Sequence, residues 1–286
     1  MRGARTALLT AAGLGFLGAV ALYFGDARWR REVGLGREAM LARRRPPPVP
    51  RYDPAELAGL PEPVQRYFRA VLKPGQPILA AARLRQTGRF RMGEAEDSWR
   101  SFRADQLVTA CPPAFDWDAR LRALPCLRVY VHDGYGAGSG HLRASMLGLW
   151  TLADVHGTRE VAEGELLRYL AEGAWMPTVL LPSQGVRWEA AGPDAARATL
   201  ADRGVSVSLD FQFDAEGLIT KIRAPSRPRA VKGGSVPTPW EGRFAGWQER
   251  QGLRIPMESE AAWILPEGPR PYFRGRTEEI HFEPAP

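Results

Sequence analysis

Residues 205–213 read VSVSLDFQF, and this stretch decides the fold. Apolar and polar side chains alternate along it without exception. A repeat of two residues places one set of side chains on each face of a β-strand. An alternating strand buries one face and wets the other, which is typical of antiparallel sheets.

The same period recurs on both sides of this stretch. Residues 214–217 (DAEG) form a turn signal, and residues 218–223 (LITKIR) follow, so 205–223 predicts a β-hairpin. Residues 83–92 and 115–122 alternate in the same way, and a second hairpin is expected around 250–252. The chain is therefore expected to be mainly antiparallel β.

Helices are few in the pattern. Residues 160–176 carry Leu166 and Leu170 at helical spacing after Thr158, a typical N-cap, and Pro177 ends the segment. The predicted fold class is mainly β (α+β): a large curved antiparallel sheet, or half-barrel, with one long helix. A Pro-, Gly- and Ser-rich stretch at 225–239 is interpreted as a long loop.

The N-terminus predicts a transmembrane helix. Residues 6–25 carry no charge, and twenty helical residues span about 30 Å, the thickness of the hydrocarbon layer of a bilayer. A cleaved signal peptide is the alternative, with 19–21 as its cleavage site. The expected division is an anchor at 1–25, a basic and Pro-rich linker at 26–51, and a single β-rich domain at 52–286.

Charge bears on location and on partners. Residues 1–51 hold ten arginines and three acids, whereas residues 52–286 hold 29 basic and 29 acidic side chains. A neutral domain lacks the attraction for phosphate that nucleic-acid binding needs, so no nucleic-acid partner is expected. The expected location is a bacterial cell membrane, crossed once, with membrane lipid as the partner of the anchor.

The side of the membrane stays open. Arginines after residue 25 outnumber those before it, which favours a cytoplasmic domain by the positive-inside rule. Cys111 and Cys126 are the only cysteines, and a disulfide between them would favour the extracytoplasmic side. Two buried free thiols are the alternative interpretation.

No motif predicts an enzyme, a metal site or a cofactor. Alternating glycines at 134–140 suit a bend in the sheet or a close approach by a helix or a ligand. His132, Asp154 and His156 could gather into a site, but no metal-binding spacing supports it. Asp116 and Asp118 are expected to form salt bridges with nearby arginines, and no nucleophile elbow is present.

Several stretches resemble a family of bacterial membrane-anchored proteins known as a domain of unknown function. These are 115–120 (FDWDAR), 164–189 (GELLRYLAEGAWMPTVLLPSQGVRWE), 236–244 (VPTPWEGRF) and 265–268 (LPEG) with 271–272 (PY). The resemblance covers roughly residues 60–283 and implies no established activity. The layout is also loosely similar to the half-barrel of lipoprotein carriers.

The functional hypothesis rests on apolar side chains that one helix cannot cover. A curved sheet with a single long helix leaves a groove, which suits a lipid or another lipophilic ligand near a membrane. Its candidate lining is Phe115, Trp117, Trp175, Met176, Gly136 and Gly138. The alternatives are a structural or interaction protein with a filled core, and a hydrolase using the Asp and His positions.

Overall fold

The computed structural model describes residues 2–93, 95, 98–124, 127–231 and 233–285, with side chains described from residue 18 onward. Its α-helices are α1 (Arg2–Ala42), α2 (Glu62–Val71) and α3 (Arg159–Glu172). Short 3-10 helices occupy Pro54–Leu57, Gly173–Trp175, Pro177–Leu180 and Pro182–Gln184. The strands, in chain order, are β1 (Leu79–Arg91), β2 (Trp99–Thr109), β3 (Ala114–Leu124), β4 (Leu127–Gly136), β5 (Ser139–Met146), β6 (Trp150–His156), β7 (Arg187–Gly192), β8 (Ala195–Asp202), β9 (Val205–Phe213), β10 (Ile219–Val231), β11 (Gly234–Ala245), β12 (Gln248–Arg250), β13 (Leu253–Ile255), β14 (Glu258–Leu265) and β15 (Gly268–Pro284).

One antiparallel sheet of 13 strands dominates the molecule. Its order is β6-β5-β4-β3-β2-β1-β15-β14-β11-β10-β9-β8-β7, and β12 and β13 form a separate two-stranded ribbon. This confirms the prediction of a mainly β chain with a large antiparallel sheet. The alternating stretch 205–213 is β9, with the five apolar residues buried.

The sheet curves around α3. This helix packs on β4 and β5 in one half of the sheet and on β9 and β10 in the other half. The Tyr135 hydroxyl of β4 donates to Asp202 of β8 over 2.8 Å, a contact between strands that lie far apart in the sheet order. We call the face toward α3 the inner face of the sheet.

The helix α3 is shorter than predicted. It ends at Glu172 rather than running to residue 176, and a 3-10 turn follows at Gly173–Trp175. A Cβ on Gly173 would lie 2.5 Å from a methyl group of Leu180, so glycine permits the chain to fold back here. The segment from 173 to 184 then packs onto the inner face.

The predicted loop at 225–239 was wrong. Residues 225–231 and 234–239 belong to the hairpin of β10 and β11, in which Pro228 lies opposite Pro237. Proline is tolerated in a strand where its missing N–H is not needed by the ladder. A register shift between Ala224 and Arg227 marks the irregularity that proline introduces.

The segment at 26–42, expected as a linker, is helical and packs on the sheet. Within α1, Trp29 and Val33 are buried against β3 and β4 on the outer face. The indole Nε1 of Trp29 donates to Asp118 over 2.8 Å, and its ring meets Tyr130 edge-on with centroids 5.5 Å apart. This part of α1 is therefore integral to the folded body.

The predicted membrane anchor falls largely outside the described side chains. Backbone is described from residue 2, but the side chains of 2–17 are not. In the described part of the chain, no helix is both long and apolar enough to span a bilayer. The anchor at 1–25 stays a prediction.

Candidate functional site

A row of polar and aromatic side chains crosses the inner face. Gln106 of β2, Trp117 of β3 and Asp133 of β4 lie directly opposite one another in the register of the sheet. The indole Nε1 of Trp117 donates to Gln86 Oε1 of β1 over 3.0 Å. Thr277 of β15 pairs with Gln86 in turn. Polar groups thus occupy a face that elsewhere is apolar.

The helix α3 adds charged groups to this row. Glu165, Arg168 and Glu172 recur at intervals of three and four residues and so lie on one side of the helix. The Arg168 guanidinium contacts Glu172 over 2.7 Å and Asp133 over 3.0 Å. Gln106 donates to the other Glu172 oxygen over 2.5 Å. Helix and sheet are therefore joined by a continuous polar network.

We call this set the inner polar cluster. Its members are Gln86, Gln106, Asp133, Glu165, Arg168, Glu172 and Thr277. The Arg168 guanidinium also lies 4.8 Å from the ring centroid of Phe115 and 4.9 Å from that of Trp117, within the range of cation–π attraction. The cluster is thus bordered by aromatic rings.

The cluster contains buried oxygen atoms that lack a hydrogen-bond partner in the described part of the chain. They are Gln106 Oε1, Asp133 Oδ1, Glu165 Oε2 and Thr277 Oγ1. Each such atom costs about 1–3 kcal/mol relative to a bonded one. Oxygens from β2, β4, α3 and β15 therefore have unused hydrogen-bonding capacity, and those of Gln106 and Asp133 can only accept.

Burial changes the ionisation of the two carboxyl groups in the cluster that have an oxygen without a hydrogen-bond partner. Desolvation, reinforced by the nearby charge of Asp133, raises the pKa of Glu165 to about 8. Desolvation also raises the pKa of Asp133, and the charge of Arg168 opposes the shift. Glu165 is consequently protonated at neutral pH.

An aromatic row leads away from the cluster toward solvent. It consists of Trp117, Phe102, Phe273, Tyr272 and Trp263. Ring centroids lie 5.7 Å apart for the first pair, 5.3 Å for the second pair and 5.6 Å for the last pair. The first two residues are buried and the last three are partly exposed. The rings therefore form two contacting groups, Trp117 with Phe102 and Phe273, and Tyr272 with Trp263, which adjoin at the consecutive residues Tyr272 and Phe273.

The irregular register of β15 creates part of this row. A shift at Ala261 and Ala262 leaves Tyr272 without a partner residue in β14, so the consecutive Tyr272 and Phe273 both enter the row. The Tyr272 hydroxyl accepts a hydrogen bond from Trp240 Nε1 over 2.9 Å. The Arg227 guanidinium lies 5.1 Å from the Trp240 ring centroid.

The six predicted groove residues do not come together. Phe115 and Trp117 border the inner polar cluster, but both are buried. Trp175 and Met176, expected at a rim, are buried in the core, where Trp175 Nε1 donates to the Pro256 carbonyl over 3.0 Å. The segment after α3 covers this part of the sheet, which the sequence pattern had left bare.

The glycines separate as well. The run 134–140 spans two strands and their turn, with Gly138 at a positive φ of 78°. Gly140 admits α3, since a Cβ there would lie 2.6 Å from the Val161 carbonyl oxygen. Gly136 instead lines a pocket beneath α1 on the outer face. Of the four glycines at 134–140, Gly140 is therefore the one that lies against the backbone of a closely packed helix, as one of the sequence-based alternatives predicted.

A second group of polar side chains lies on the outer face, under α1. Asp116, His132 and His141 come from β3, β4 and β5, and one ligand atom of each lies within 4.8 Å of the others. Arg37 of α1 donates to Asp116 Oδ1 over 2.6 Å. Sequence reasoning named His132, Asp154 and His156 as residues that could gather, without predicting a metal site. In the structure Asp154 and His156 are exposed on β6 and bond to each other.

The expected salt bridges of the paired aspartates were partly correct. Asp118 pairs with Arg120, as the spacing predicts. Asp116 instead contacts Arg37 and His132. A pairing across strands cannot be read from one strand's sequence, because the partner depends on register.

The candidate disulfide stays a prediction, because Cys126 lies outside the described residues. Cys111 precedes β3, and Leu124, two positions before Cys126, ends it.

The sheet, its central helix and the polar interior define an α+β protein whose large curved sheet surrounds a buried polar cluster. The chain belongs to a family of unknown function, DUF6920, whose family model matches residues 58–282. This confirms the resemblance to a domain of unknown function. No functionally curated protein matches the chain.

Two solved structures are similar in fold. One is a LolA superfamily protein from Nitrosomonas europaea, with 11% identity, a TM-score of 0.42, and coverage of 80% of this chain and 96% of that chain. The other is a β-barrel-like protein of the domain of unknown function DUF1849 from Brucella abortus. It has 10% identity, a TM-score of 0.25, and coverage of 71% of this chain and 98% of that chain.

Proposed function

We propose that the protein is a membrane-tethered binding protein for a lipophilic ligand whose polar end carries a hydrogen-bond donor. The polar end, such as a hydroxyl or an amine, binds at the inner polar cluster. The apolar body lies along the aromatic row. The observation that carries the proposal is the set of four buried oxygens without partners, of which those of Gln106 and Asp133 can only accept hydrogen bonds.

The chemistry of the cluster selects the polar end of the ligand. Asp133 and Gln106 each present an unpartnered oxygen that only accepts hydrogen bonds, whereas the protonated Glu165 carboxyl group can also donate one. A hydroxyl or amine donates to such oxygens, whereas an ester or ether end leaves them unpaired. Sites that hydrogen-bond a ligand discriminate strongly against analogues without the donor, because their own polar groups then stay unsatisfied.

The aromatic row supplies the apolar surface. Its outer members, Phe273, Tyr272 and Trp263, keep part of their rings exposed. Burying apolar surface against them contributes about 25 cal/mol for each Å² removed from water. A chain-like ligand therefore enters at the exposed end of the row, and the buried rings of Phe102 and Trp117 have to move apart before it reaches the inner polar cluster.

The predicted anchor supports a ligand that comes from a bilayer. Residues 6–25 hold the chain near lipid, and α1 runs without a break from Arg2 to Ala42, where it packs on the sheet. A continuous helix keeps the folded body close to the membrane surface. A lipophilic ligand can then pass from the membrane directly into the site.

One observation favours the alternative of a structural protein without a ligand. The segment 173–184 fills the inner face beyond α3, and Trp175, Met176 and Leu180 are fully packed. In that case the unpartnered oxygens of the inner polar cluster are satisfied by internal water. The two functions make different predictions for a long-chain probe.

Photo-crosslinking of the full-length protein in nanodiscs tests the proposal. The probe is a long-chain alcohol that carries a diazirine, and its methyl ether is the matched probe without a donor. We expect the alcohol to label peptides that contain Phe102, Trp117 or Phe273, and the ether to label them much less. Labelling confined to 6–25, or equal labelling by both probes, contradicts the proposal and leaves the structural function.

A matched pair of variants on α3 sharpens the test. Glu165→Leu removes the carboxyl group from the inner polar cluster without leaving a cavity, so the fold is expected to survive. Glu160→Leu makes the same change at an exposed position of the same helix. Interior labelling should fall in the first variant and persist in the second.

A further inference from the structure

The outer face of the sheet carries a group of side chains that ligand binding in the interior does not use. Asp116 lies opposite Gly134, and Gly134 lies opposite His141, so side chains of β3, β4 and β5 point to the same face. His132 projects from β4 beside them, and its ring centroid is 4.6 Å from that of His141. The register of the strands thus brings together one aspartate and two histidines, side chains of the types that bind metal ions.

His141 presents a nitrogen without a partner. Its Nε2 is buried and accepts or donates no hydrogen bond in the described part of the chain. Its imidazole lies across Gly134, where any Cβ would collide with the ring. The absence of a side chain at 134 therefore creates the space in which this nitrogen approaches Asp116 and His132.

Arg37 supports the carboxylate from outside the group. Its Nε donates to Asp116 Oδ1, and its Nη2 donates to the Asp105 carbonyl over 2.7 Å. Asp116 Oδ2 is left to face His132. Hydrogen bonds to the second oxygen of a ligating carboxylate are the usual way to fix its orientation.

We propose that Asp116 Oδ2, His132 Nε2 and His141 Nε2 bind a divalent transition-metal ion. Two imidazoles and one carboxylate form a ligand set that zinc accepts, and it leaves at least one coordination position open. The group borders a pocket of about 260 Å³ between α1 and the sheet, which Gly36, Met40 and Ser139 also line. The open position faces this pocket.

Calorimetric titration of Zn²⁺ into the full-length, chelator-treated protein tests the site. We expect one equivalent to bind, and His141→Ala to weaken binding by at least ~100-fold, since loss of an outer-shell partner alone costs 10–100-fold. The matched control is His156→Ala, because His156 lies opposite His141 in the register but is exposed. It should bind Zn²⁺ like the unmodified chain.

Two readouts keep the test decisive. His141 Nε2 makes no hydrogen bond, so its removal should leave the far-ultraviolet circular dichroism unchanged. Bound Co²⁺ should give visible absorption bands of a four- or five-coordinate ion in the unmodified chain and lose them in His141→Ala. Absence of stoichiometric binding, or equal affinity in the two histidine variants, overturns the proposal and leaves a plain His132–Asp116 hydrogen bond.

Discussion

The buried carboxyl group of Glu165 is costly to ionise in the folded protein. It lies on α3 in a buried setting and faces Asp133 of β4 and Arg227 of β10, with Arg168 and Glu172 on its own helix. Its raised pKa means that the folded state holds a proton that the unfolded state releases above about pH 4.5. The group therefore costs stability as the pH rises.

The first prediction concerns Glu165→Gln. Folding stability of the unmodified chain should fall between the unfolded pKa of 4.5 and the folded pKa of about 8, because the folded state binds more protons in that window. The glutamine of the variant cannot ionise, so its folding stability should not show the decrease caused by Glu165 between pH 4.5 and about 8. One pKa unit corresponds to about 1.4 kcal/mol, so the difference is at most a few kcal/mol.

Urea unfolding at about pH 5 and about pH 9 measures how the free energy of unfolding depends on pH. Glu160→Gln, at an exposed position of the same helix, is the control and should follow the unmodified chain. Asp133 keeps its own raised pKa in every variant, so a residual slope is expected throughout. A slope in Glu165→Gln as steep as in the unmodified chain would refute the assignment.

Among the elements, α3 depends on two glycines with opposite requirements. Gly140 of β5 faces the start of α3, and a Cβ there would lie 2.6 Å from the Val161 carbonyl oxygen. Gly164 lies inside α3, and a Cβ there would meet nothing within 4 Å. One glycine permits close packing, whereas the other only weakens the helix.

The second prediction follows from this contrast. Gly164→Ala should raise the free energy of unfolding by about 0.5–1 kcal/mol, because alanine restricts the unfolded chain and favours helix. Gly140→Ala should lower it by about 1–3 kcal/mol through overpacking. Denaturant titration of the two variants side by side checks both signs. The same sign for both would contradict the described packing of α3 on β5.

Sequence reasoning predicted the elements better than their arrangement. The complete alternation of 205–213 identified β9, and the apolar spacing around Leu166 identified α3. The position of Trp175 was wrong, because it depends on how the chain folds back after Gly173. The association of Asp116 with His132 and His141 depends on the register of three strands, which alternation within each strand does not encode.

The charged face of α3 was also missed. Glu165, Arg168 and Glu172 are ordinary helix-favouring residues, and their spacing is equally typical of a solvated face. Only the curvature of the sheet shows that this face points inward. A buried face in an amphipathic helix is inferred from apolar residues, and here polar residues occupy part of it.

For the whole molecule, the decisive contact is between α1 and the outer face of the sheet. Trp29 is 2% exposed and bonds to Asp118, whereas Leu35 on the same helix is 55% exposed. Trp29 thus fixes the helix that leads into the predicted anchor. Its removal should free 26–42 without unfolding the sheet.

The third prediction is that Trp29→Ala loosens this contact. Truncation of a buried tryptophan costs about 3–5 kcal/mol. Here the loss mainly weakens the packing of α1 on the sheet. Trypsin should then cleave after Arg30, Arg31 or Arg37 at least ~10-fold faster in the full-length protein. Leu35→Ala is the control and should be cleaved at the unmodified rate. Equal cleavage of both variants would mean that Trp29 does not hold the helix.

The order of the sheet has a consequence for the way the chain folds. Strands β1–β6 form one meander and β7–β11 another, and each pairs neighbours close in sequence. The ladder between β1 and β15 instead joins Leu79 to Pro284, the two ends of the strand sequence. Loop-closure entropy disfavours such distant pairing until both meanders have formed. We therefore expect the two meanders to form early, and refolding to be limited by their joining at the middle of the sheet.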